Sequence, residues 1–184
     1  MPPASDMTAD KIVCVGAIVR DDVYHVETLP AAGIKIAASR YESRFGGPAA
    51  TAAVAIANLR GVAAYWGRVG ADAAGDAALS ALRHHGVDCK GVAVVQGGQT
   101  RCAVVLVDKN GERCIVAYRK GLPEDAALLP ADPLDGVGVV LADSRWPGGA
   151  EAVLDRARAR GVISVIDADG GAIAQTQRLV EKAD

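Results

Sequence analysis

The sequence contains no apolar run that approaches the roughly 20 residues needed by a membrane-spanning helix. Its first residues, MPPASDMTADK, show no basic segment followed by an apolar one, which argues against an export signal. Neither sign of charge dominates, because 20 Lys and Arg stand against 22 Asp and Glu. The net charge of −2 predicts no binding to nucleic acid or to an anionic membrane surface. We therefore expect a cytoplasmic protein with neither kind of partner.

The four cysteines are too dispersed to form a recognisable metal site. They occur as Cys14, Cys89, Cys102 and Cys114, without CxxC spacing and without a nearby histidine cluster. This distribution favours reduced, buried thiols in a cytoplasmic protein over a metal site.

The usual nucleotide-binding fingerprints are also absent. The glycine-rich segment GGPAAT fits neither GxxxxGK[ST] nor GxGxxG, and VCVGAIV supplies only one glycine after its predicted strand. A dinucleotide-dependent dehydrogenase is therefore disfavoured.

What is present is an alternation of apolar runs and helical patterns. At 184 residues, with 51% hydrophobic and 23% charged, the chain suits one ordinary domain or a piece of a larger one. Alternating strands and helices predict an α/β fold with a mostly parallel, doubly wound sheet flanked by helices, over residues 11–184 after a flexible N-terminus at 1–10. We predict strands at 11–19, 62–70, 87–95, 137–143 and 162–169, and helices at 48–60, 72–86, 147–161 and 172–184.

Two further segments predict a small β-sheet lid inserted in this domain. DVYHVETLP and IKIAASRYESRF, within 22–45, look like half-exposed strands joined across PAAG. Within 99–119, two apolar-rich strands flank DKNGE, in which Asn-Gly is a strong hairpin signal.

Polar residues and glycines cluster where the predicted strands of the parallel sheet end, which is where such sheets bind ligands. Any one cluster alone would suggest only a helix cap or a turn. Together they favour a phosphorylated or polyhydroxylated ligand, because carboxylates orient hydroxyls, arginine holds anions and glycines expose backbone amides. The clusters are Asp21 with Asp22, Gly46 with Gly47, Asp143 with Ser144 and Arg145, and Asp167 with Asp169.

Three segments, in order, resemble the ribokinase-like (PfkB) carbohydrate kinases: VGAIVRDD, FGGPAATAAVAIANLRG and WGRVGADAAGDAALSALRHHGVD. The resemblance runs from about residue 11 to the end of the chain. It implies transfer of the γ-phosphoryl group of ATP, with Mg²⁺, to a sugar hydroxyl. It also implies that Asp21 holds a sugar hydroxyl and that Gly46 and Gly47 face the sugar. Thr51 stands where the family usually has an asparagine that contacts the sugar. Asp167 and Asp169 stand at a DxN-like position near the phosphates or the metal.

Within the family, GGPAATAAVA, VVLADSRWPGGA and VIDADG look closest to the bacterial sulfofructose kinases. This implies a ketose with an anionic end, such as 6-deoxy-6-sulfofructose or fructose 6-phosphate, held by Arg145 and by Lys35 from the lid. The subgroup favours Asn-Tyr where this chain has Ala117-Tyr118, and Arg119 or Lys120 could compensate for the missing amide.

The chain has no GAGD sequence, the family's source of a catalytic aspartate and of amides for the transition-state anion. The resemblance therefore implies that the base lies beyond Asp184, that no catalytic residue lies in this chain, and that the chain is an N-terminal portion of a longer kinase. A homodimer through the lid is expected. Two alternatives stay open: a kinase for a neutral sugar or nucleoside, of the ribokinase, fructokinase or adenosine kinase type, and a non-catalytic sugar-binding protein.

Overall fold

The computed structural model describes residues 10–131, 133–169 and 173–184. Residues 1–9 of the predicted flexible N-terminus lie outside these ranges, as does Ala172, where the last predicted helix was expected to begin. The described strands are β1 Lys11–Gly16, β2 Val19–His25, β3 Arg40–Gly46, β4 Ala63–Gly70, β5 Val92–Val95, β6 Cys102–Val107, β7 Arg113–Tyr118, β8 Val137–Asp143 and β9 Ile163–Asp167. The described α-helices are α1 Pro48–Asn58, α2 Ala73–His84, α3 Pro147–Arg160 and α4 Ile173–Val180.

The main sheet has five strands in the order β5-β4-β1-β8-β9, and every neighbouring pair is parallel. Strand β1 is central, between two strands that are distant from it in sequence. All five strands end at the same edge of the sheet, which brings the ends of β1 and β8 together. This sheet and its flanking helices confirm the predicted α/β fold class.

Helices cover both faces of the main sheet, and the side chains of β1 alternate between them. Val13 and Val15 face a core shared with Trp146 and Leu154, around helix α3. Cys14 faces the other core, built from small and apolar residues of β4, α1 and α2. The core is therefore two layers, one on each side of a central strand that is buried from Val13 to Gly16.

A second, four-stranded sheet has the order β3-β2-β6-β7. Strands β2 and β6 are parallel, whereas the two outer pairs are antiparallel. We call these four strands the lid sheet. The hairpin predicted around Asn110-Gly111 is confirmed, with Gly111 at a φ of 84°.

Three strand predictions near the lid sheet were wrong in extent. The strand predicted over 11–19 ends at Gly16. The next backbone N–H, that of Ala17, donates to the Asp143 carboxylate at 2.9 Å and so does not bond to a neighbouring strand. Val19 instead begins β2 of the lid sheet, which was predicted over 22–30 and ends at His25. The strand predicted over 34–45 begins only at Arg40.

Helix α1 begins at Pro48 as predicted, but it ends at Asn58 and not at residue 60. The left-handed residue is Arg60, with a φ of 66°. Gly61 serves a different purpose, because its N–H donates to the Ile56 carbonyl at 2.9 Å and a Cβ there would lie 2.7 Å from Ile56 Cγ2. The glycine is thus needed for close packing and not for a positive φ.

The cysteines are free thiols, but not all of them are buried as expected. Cys14 and Cys89 lie in the core, whereas Cys114 is exposed on β7 at the edge of the lid sheet. Burial, followed by the negative charge of Asp143, raises the pKa of the Cys14 thiol to about 12. Among the described residues, no helix has the length and apolar character required to cross a membrane.

Candidate functional site

A cavity of about 180 Å³ lies between the lid sheet and the edge of the main sheet where β1 and β8 end. Parallel strands place their ligand sites at this edge. The polar and glycine residues lining the cavity are Asp21, Gly47, Arg101, Cys102, Tyr118, Arg119, Arg145 and Asp169, and its apolar lining includes Ala17, Ala103, Ile115 and Ala117.

Asp21 lines this cavity from the lid sheet. It was expected directly after the first strand, but it lies within β2, paired with Arg44 of β3 and Ala103 of β6. Because side chains alternate along a strand, Asp22 lies on the opposite face of the lid sheet from Asp21. There its Oδ1 accepts hydrogen bonds from Arg20 and Tyr41. Burial, followed by the charge of Asp22, raises the pKa of the Asp21 carboxyl. Asp21 is therefore the carboxylate of the pair that is available to a ligand.

Gly46 and Gly47 permit a close approach between the lid sheet and the main sheet. A Cβ on Gly46 would lie 2.6 Å from Asp21 Oδ2. Gly47 has a φ of 101°, and a Cβ there would lie 2.3 Å from the Ala17 carbonyl oxygen. No larger residue fits either position without moving its neighbour. Gly47 lines the cavity, whereas Gly46 does not and instead packs against Asp21.

The Asp143 carboxylate holds three backbone segments around the cavity. It is fully buried and accepts hydrogen bonds from the N–H groups of Ala17 at 2.9 Å, Ala49 at 3.0 Å and Arg145 at 2.8 Å. Burial raises the pKa of this carboxyl, and the three hydrogen bonds oppose that shift. A Cβ on Gly16 would lie 2.2 Å from Asp143. Asp143 therefore has a positioning role and does not line the cavity.

Arg145 lines the cavity directly, and its guanidinium is paired with Asp169. Arg145 Nη2 lies 2.9 Å from Asp169 Oδ2. Asp167 does not line the cavity, but its Oδ1 accepts a hydrogen bond from the Asp169 N–H at 3.0 Å. The end of β9 thus orients the carboxylate that meets Arg145.

Two more arginines complete the polar wall. Arg119 follows β7, and burial, then the charges of Arg145 and Arg101, lower its pKa. Arg101 immediately precedes β6 and is only 4% exposed. Sequence reasoning missed Arg101, because an isolated arginine beside a lid strand gives no pattern that distinguishes it from a solvated charge.

Lys35 and Thr51 do not line this cavity. Lys35 is exposed in the connection between β2 and β3, and Lys120 is exposed beyond β7. Thr51, on the exposed side of α1, lines a separate cavity of about 390 Å³ together with Phe45 and His85. Ligand contacts by these side chains stay predictions.

Comparison with models of protein families identifies the family of this chain. A family model described as pfkB family carbohydrate kinase matches residues 9–184. The chain belongs to this family.

Curated relatives of this pfkB family chain include Fructokinase-1 of Zea mays, 37% identical over 105 residues, 56% of this chain and 32% of the relative. The ATP-dependent ribose-1-phosphate kinase of Halopiger xanaduensis is 34% identical over 106 residues, 58% of this chain and 36% of the relative. The chain thus matches about a third of the length of these relatives.

Solved structures of other proteins share the fold of this chain. The Arabidopsis thaliana ribokinase complexed with ribose and ATP has a TM-score of 0.75 at 24% identity, covering 96% of this chain and 68% of that chain. The fructokinase from Xylella fastidiosa has a TM-score of 0.76 at 23% identity, covering 96% and 58%.

The cavity residues of this pfkB family chain have the chemistry to hold hydroxyls and an anion, but the described residues contain no metal site. Among the described residues, no group of three or more His, Cys, Asp or Glu side chains could bind a metal ion. The Asp169 carboxylate is paired with the Arg145 guanidinium, and the Asp167 carboxylate accepts a hydrogen bond from the Asp169 backbone N–H. The cavity offers a carboxylate at one side and guanidinium groups at the other, which suits a polyhydroxylated ligand with a negative end.

Proposed function

We propose that this protein is an ATP-dependent sugar kinase that phosphorylates a hydroxyl of a ketose with an anionic end, such as 6-deoxy-6-sulfofructose or fructose 6-phosphate. The observation that carries the proposal is the single cavity lined by Asp21 together with Arg119 and Arg145. A carboxylate accepts hydrogen bonds from sugar hydroxyls, and the planar forks of arginine match the oxygens of a phosphate or sulfonate.

The lid sheet supports the kinase assignment physically. It covers the cavity and contributes Asp21, so a bound sugar would be shielded from water and transfer of the phosphoryl group to water would be limited. The use of ATP is supported by the Arabidopsis ribokinase complexed with ribose and ATP. Phosphoryl transfer generally needs a metal ion, so Mg²⁺ belongs to the proposal, although we assign neither a metal ligand nor a catalytic base to these residues.

A second candidate is a kinase for a neutral sugar. Fructokinases of Zea mays and Oryza sativa, 37% and 38% identical over their matched regions, favour it. The ribose-1-phosphate kinase of Halopiger xanaduensis instead acts, by its name, on a sugar with a phosphate. Arg119 favours the anionic substrate here, because it lines the cavity without an ion pair to a described residue and a neutral sugar would leave its charge without a partner.

We also propose that the protein is a homodimer joined through the lid sheet and that it resides in the cytoplasm. Apolar side chains exposed on the lid sheet support the dimer: Tyr41, Val104 and Val116 are each at least 40% exposed and do not line the cavity. The four free cysteines support a reducing compartment. Sedimentation of wild type and Val116→Asp tests the dimer, which the variant should weaken.

The decisive experiment is to measure ADP release by the product of the complete gene with ATP and Mg²⁺. The acceptors are 6-deoxy-6-sulfofructose, fructose 6-phosphate, fructose, ribose and adenosine. We expect turnover with the anionic ketoses. Turnover only with neutral acceptors would support the second candidate. No turnover with any acceptor, in a protein that binds sugars, would favour a non-catalytic sugar-binding protein.

A further inference from the structure

A cavity of about 270 Å³ lies against the main sheet and shares no lining residue with the cavity that contains Asp21 and Arg145. We call it the Trp66 cavity. Its lining residues are Lys11, Trp66, Asp88, Lys90, Gly91 and Pro130. Lys11 is the first residue of β1, whereas Ala17, which lines the other cavity, follows the last residue of that strand. The Trp66 cavity is therefore a separate space from the one assigned to the sugar.

The indole of Trp66 leaves a buried hydrogen-bond donor without a partner. Trp66 is only 3% exposed, and a buried tryptophan N–H usually has an acceptor. Trp146 follows this rule, because its Nε1 donates to the Asp125 carbonyl at 2.9 Å, whereas the Nε1–H of Trp66 donates to no described residue. A Cβ on Gly91 would lie 2.5 Å from Trp66 Nε1, so this edge of the ring lies at the wall that Gly91 also lines. An acceptor bound in the cavity would remove the cost of the unpaired donor.

Two lysines line the same cavity without a partner from the protein. Lys11 is half-buried and lies on the same face of β1 as Val13 and Val15, which share a core with Trp66. Lys90 is exposed in the loop before β5. Neither ammonium group forms a hydrogen bond or an ion pair with a described residue. Asp88 is the one acidic residue in the described lining, so the lining carries a net positive charge.

The loop that carries Lys90 is held to the main sheet before any ligand binds. The Asp88 N–H donates to the Ala63 carbonyl at 2.9 Å, and the Asp88 carbonyl accepts the Tyr65 N–H at 2.8 Å, which joins the loop to β4. The Asp88 Oδ1 accepts the backbone N–H of Lys90 at 3.0 Å. The Asp88 carboxylate is thus used in part by its own loop, and the lysines stay in place beside Trp66. A site that is ordered in advance loses less conformational freedom when a ligand binds.

We propose that the Trp66 cavity is a second binding site, specific for a phosphate group, which is supplied by a small phosphorylated metabolite or by free inorganic phosphate. The reason is the set of donors: an ammonium group and an indole N–H donate hydrogen bonds and accept none, so their ligand must be an anion with several acceptor oxygens. Lys11 and Lys90 contribute the positive charge, and Trp66 contributes a directed donor. This inference does not rest on the proposed function, because the two cavities share no residue.

The test is an NMR titration of the ¹⁵N-labelled product of the complete gene with inorganic phosphate. The readout is the indole N–H signal of Trp66, which is assigned by its loss in Trp66→Phe. Potassium chloride at the same ionic strength shows the effect of charge screening alone. We expect phosphate to shift the Trp66 signal in a saturable way and chloride to leave it nearly unchanged.

The lysine variants locate the anion. Lys11→Gln and Lys90→Gln should each raise the Kd of phosphate about 3- to 10-fold, because each removes one charged hydrogen bond at a partly solvated site. The matched control is Lys109→Gln, which removes an exposed lysine of the lid hairpin that does not line the cavity and should leave the Kd unchanged. A second titration with glycerol 1-phosphate identifies the source of the phosphate. Tighter binding of the ester would indicate a phosphorylated metabolite, and equal or weaker binding would indicate the free ion.

Three outcomes would overturn the proposal. The first is a Trp66 signal that neither phosphate compound shifts in a saturable way, and the second is an equal shift with chloride. The third is a Kd that stays unchanged in both Lys11→Gln and Lys90→Gln, since the anion would then lie elsewhere, for example beside Arg145. Should Trp66→Phe not fold, contacts between the indole N–H and neighbouring residues assign the signal instead. No readout depends on kinase activity, so failure of the proposed function would leave this result standing.

Discussion

Asp143 Oδ2 accepts a hydrogen bond from the Ala49 N–H at 3.0 Å, although 94 positions separate the two residues. The contact joins the end of β8 to the start of α1. The same oxygen accepts the Ala17 N–H, and the other carboxylate oxygen accepts the Arg145 N–H. One buried side chain thus sets the relative positions of the Gly-Gly corner, the end of β1 and Arg145.

We predict that Asp143→Asn lowers the free energy of unfolding by about 2–4 kcal/mol, measured by urea denaturation. Asparagine has a single acceptor oxygen, so its NH₂ group would face one of the backbone N–H donors. Because burial already raises the pKa of Asp143, the loss comes from the missing acceptor more than from the missing charge.

The control is Asp135→Asn, which removes the partner of an exposed ion pair with Arg160. Such surface pairs contribute roughly 0–1 kcal/mol. Equal losses from the two variants would contradict the positioning role of Asp143.

We predict that Gly47→Ala destabilises the protein more than Gly86→Ala does. Both glycines have a positive φ, 101° and 80°, so both substitutions carry a backbone cost of about 1–2 kcal/mol. Only at Gly47 would the new Cβ also collide, 2.3 Å from the Ala17 carbonyl oxygen, whereas nothing lies within 4 Å at Gly86. Midpoints of urea unfolding for the two variants measure the difference, and equal midpoints would show that the corner relaxes freely.

We predict that Arg145→Gln weakens binding of fructose 6-phosphate by roughly 10- to 100-fold and leaves fructose binding nearly unchanged. Arg145 lines the cavity, and its existing partner, Asp169, is largely exposed, so the variant should lose little stability. Calorimetric titrations of both sugars measure the effect. Arg83→Gln, which removes an exposed arginine in the last turn of α2, serves as the control. A parallel loss of fructose binding would show that Arg145 does not select for the anion.

We predict that sugar binding weakens at low pH with a midpoint above 3.8, the ordinary pKa of an aspartate. Burial, then the charge of Asp22, raises the pKa of Asp21, so its carboxylate takes up a proton earlier as the pH falls. The protonated form loses acceptor capacity for sugar hydroxyls, and affinity is therefore full above the raised pKa and lost below it. Fructose titrations across this pH range measure the midpoint. Asp21→Asn should bind weakly at every pH, and a profile unchanged in that variant would exclude Asp21 as the titrating group.

Much of the fold follows from local patterns in the sequence. The alternation of apolar runs with helical segments predicted the parallel sheet, and Asn110-Gly111 predicted the lid hairpin. The helix predicted from residue 48 begins there, at Pro48. These signals are local, because side-chain periodicity and turn chemistry depend on residues within a few positions of each other.

The candidate site was only partly predictable. Asp21, Gly47 and Arg145 line one cavity, although Asp21 does so from within the lid sheet and not from the end of a main-sheet strand. Thr51 lines another cavity, and Lys35 lines neither. Asp21 and Arg145 meet because the lid sheet folds over the edge where β8 ends. No sequence signal marks which face of β2 turns toward that edge.

The sequence by itself determined the element types, the turns and the family, since these depend on local chemistry and on contiguous motifs. Only the tertiary structure decided that Asp143 is a buried anchor and that Arg101 reaches the cavity wall. The reason is topological: β1 lies beside β8 and β2 lies beside β6, so residues more than 75 positions apart become neighbours through strand order and register.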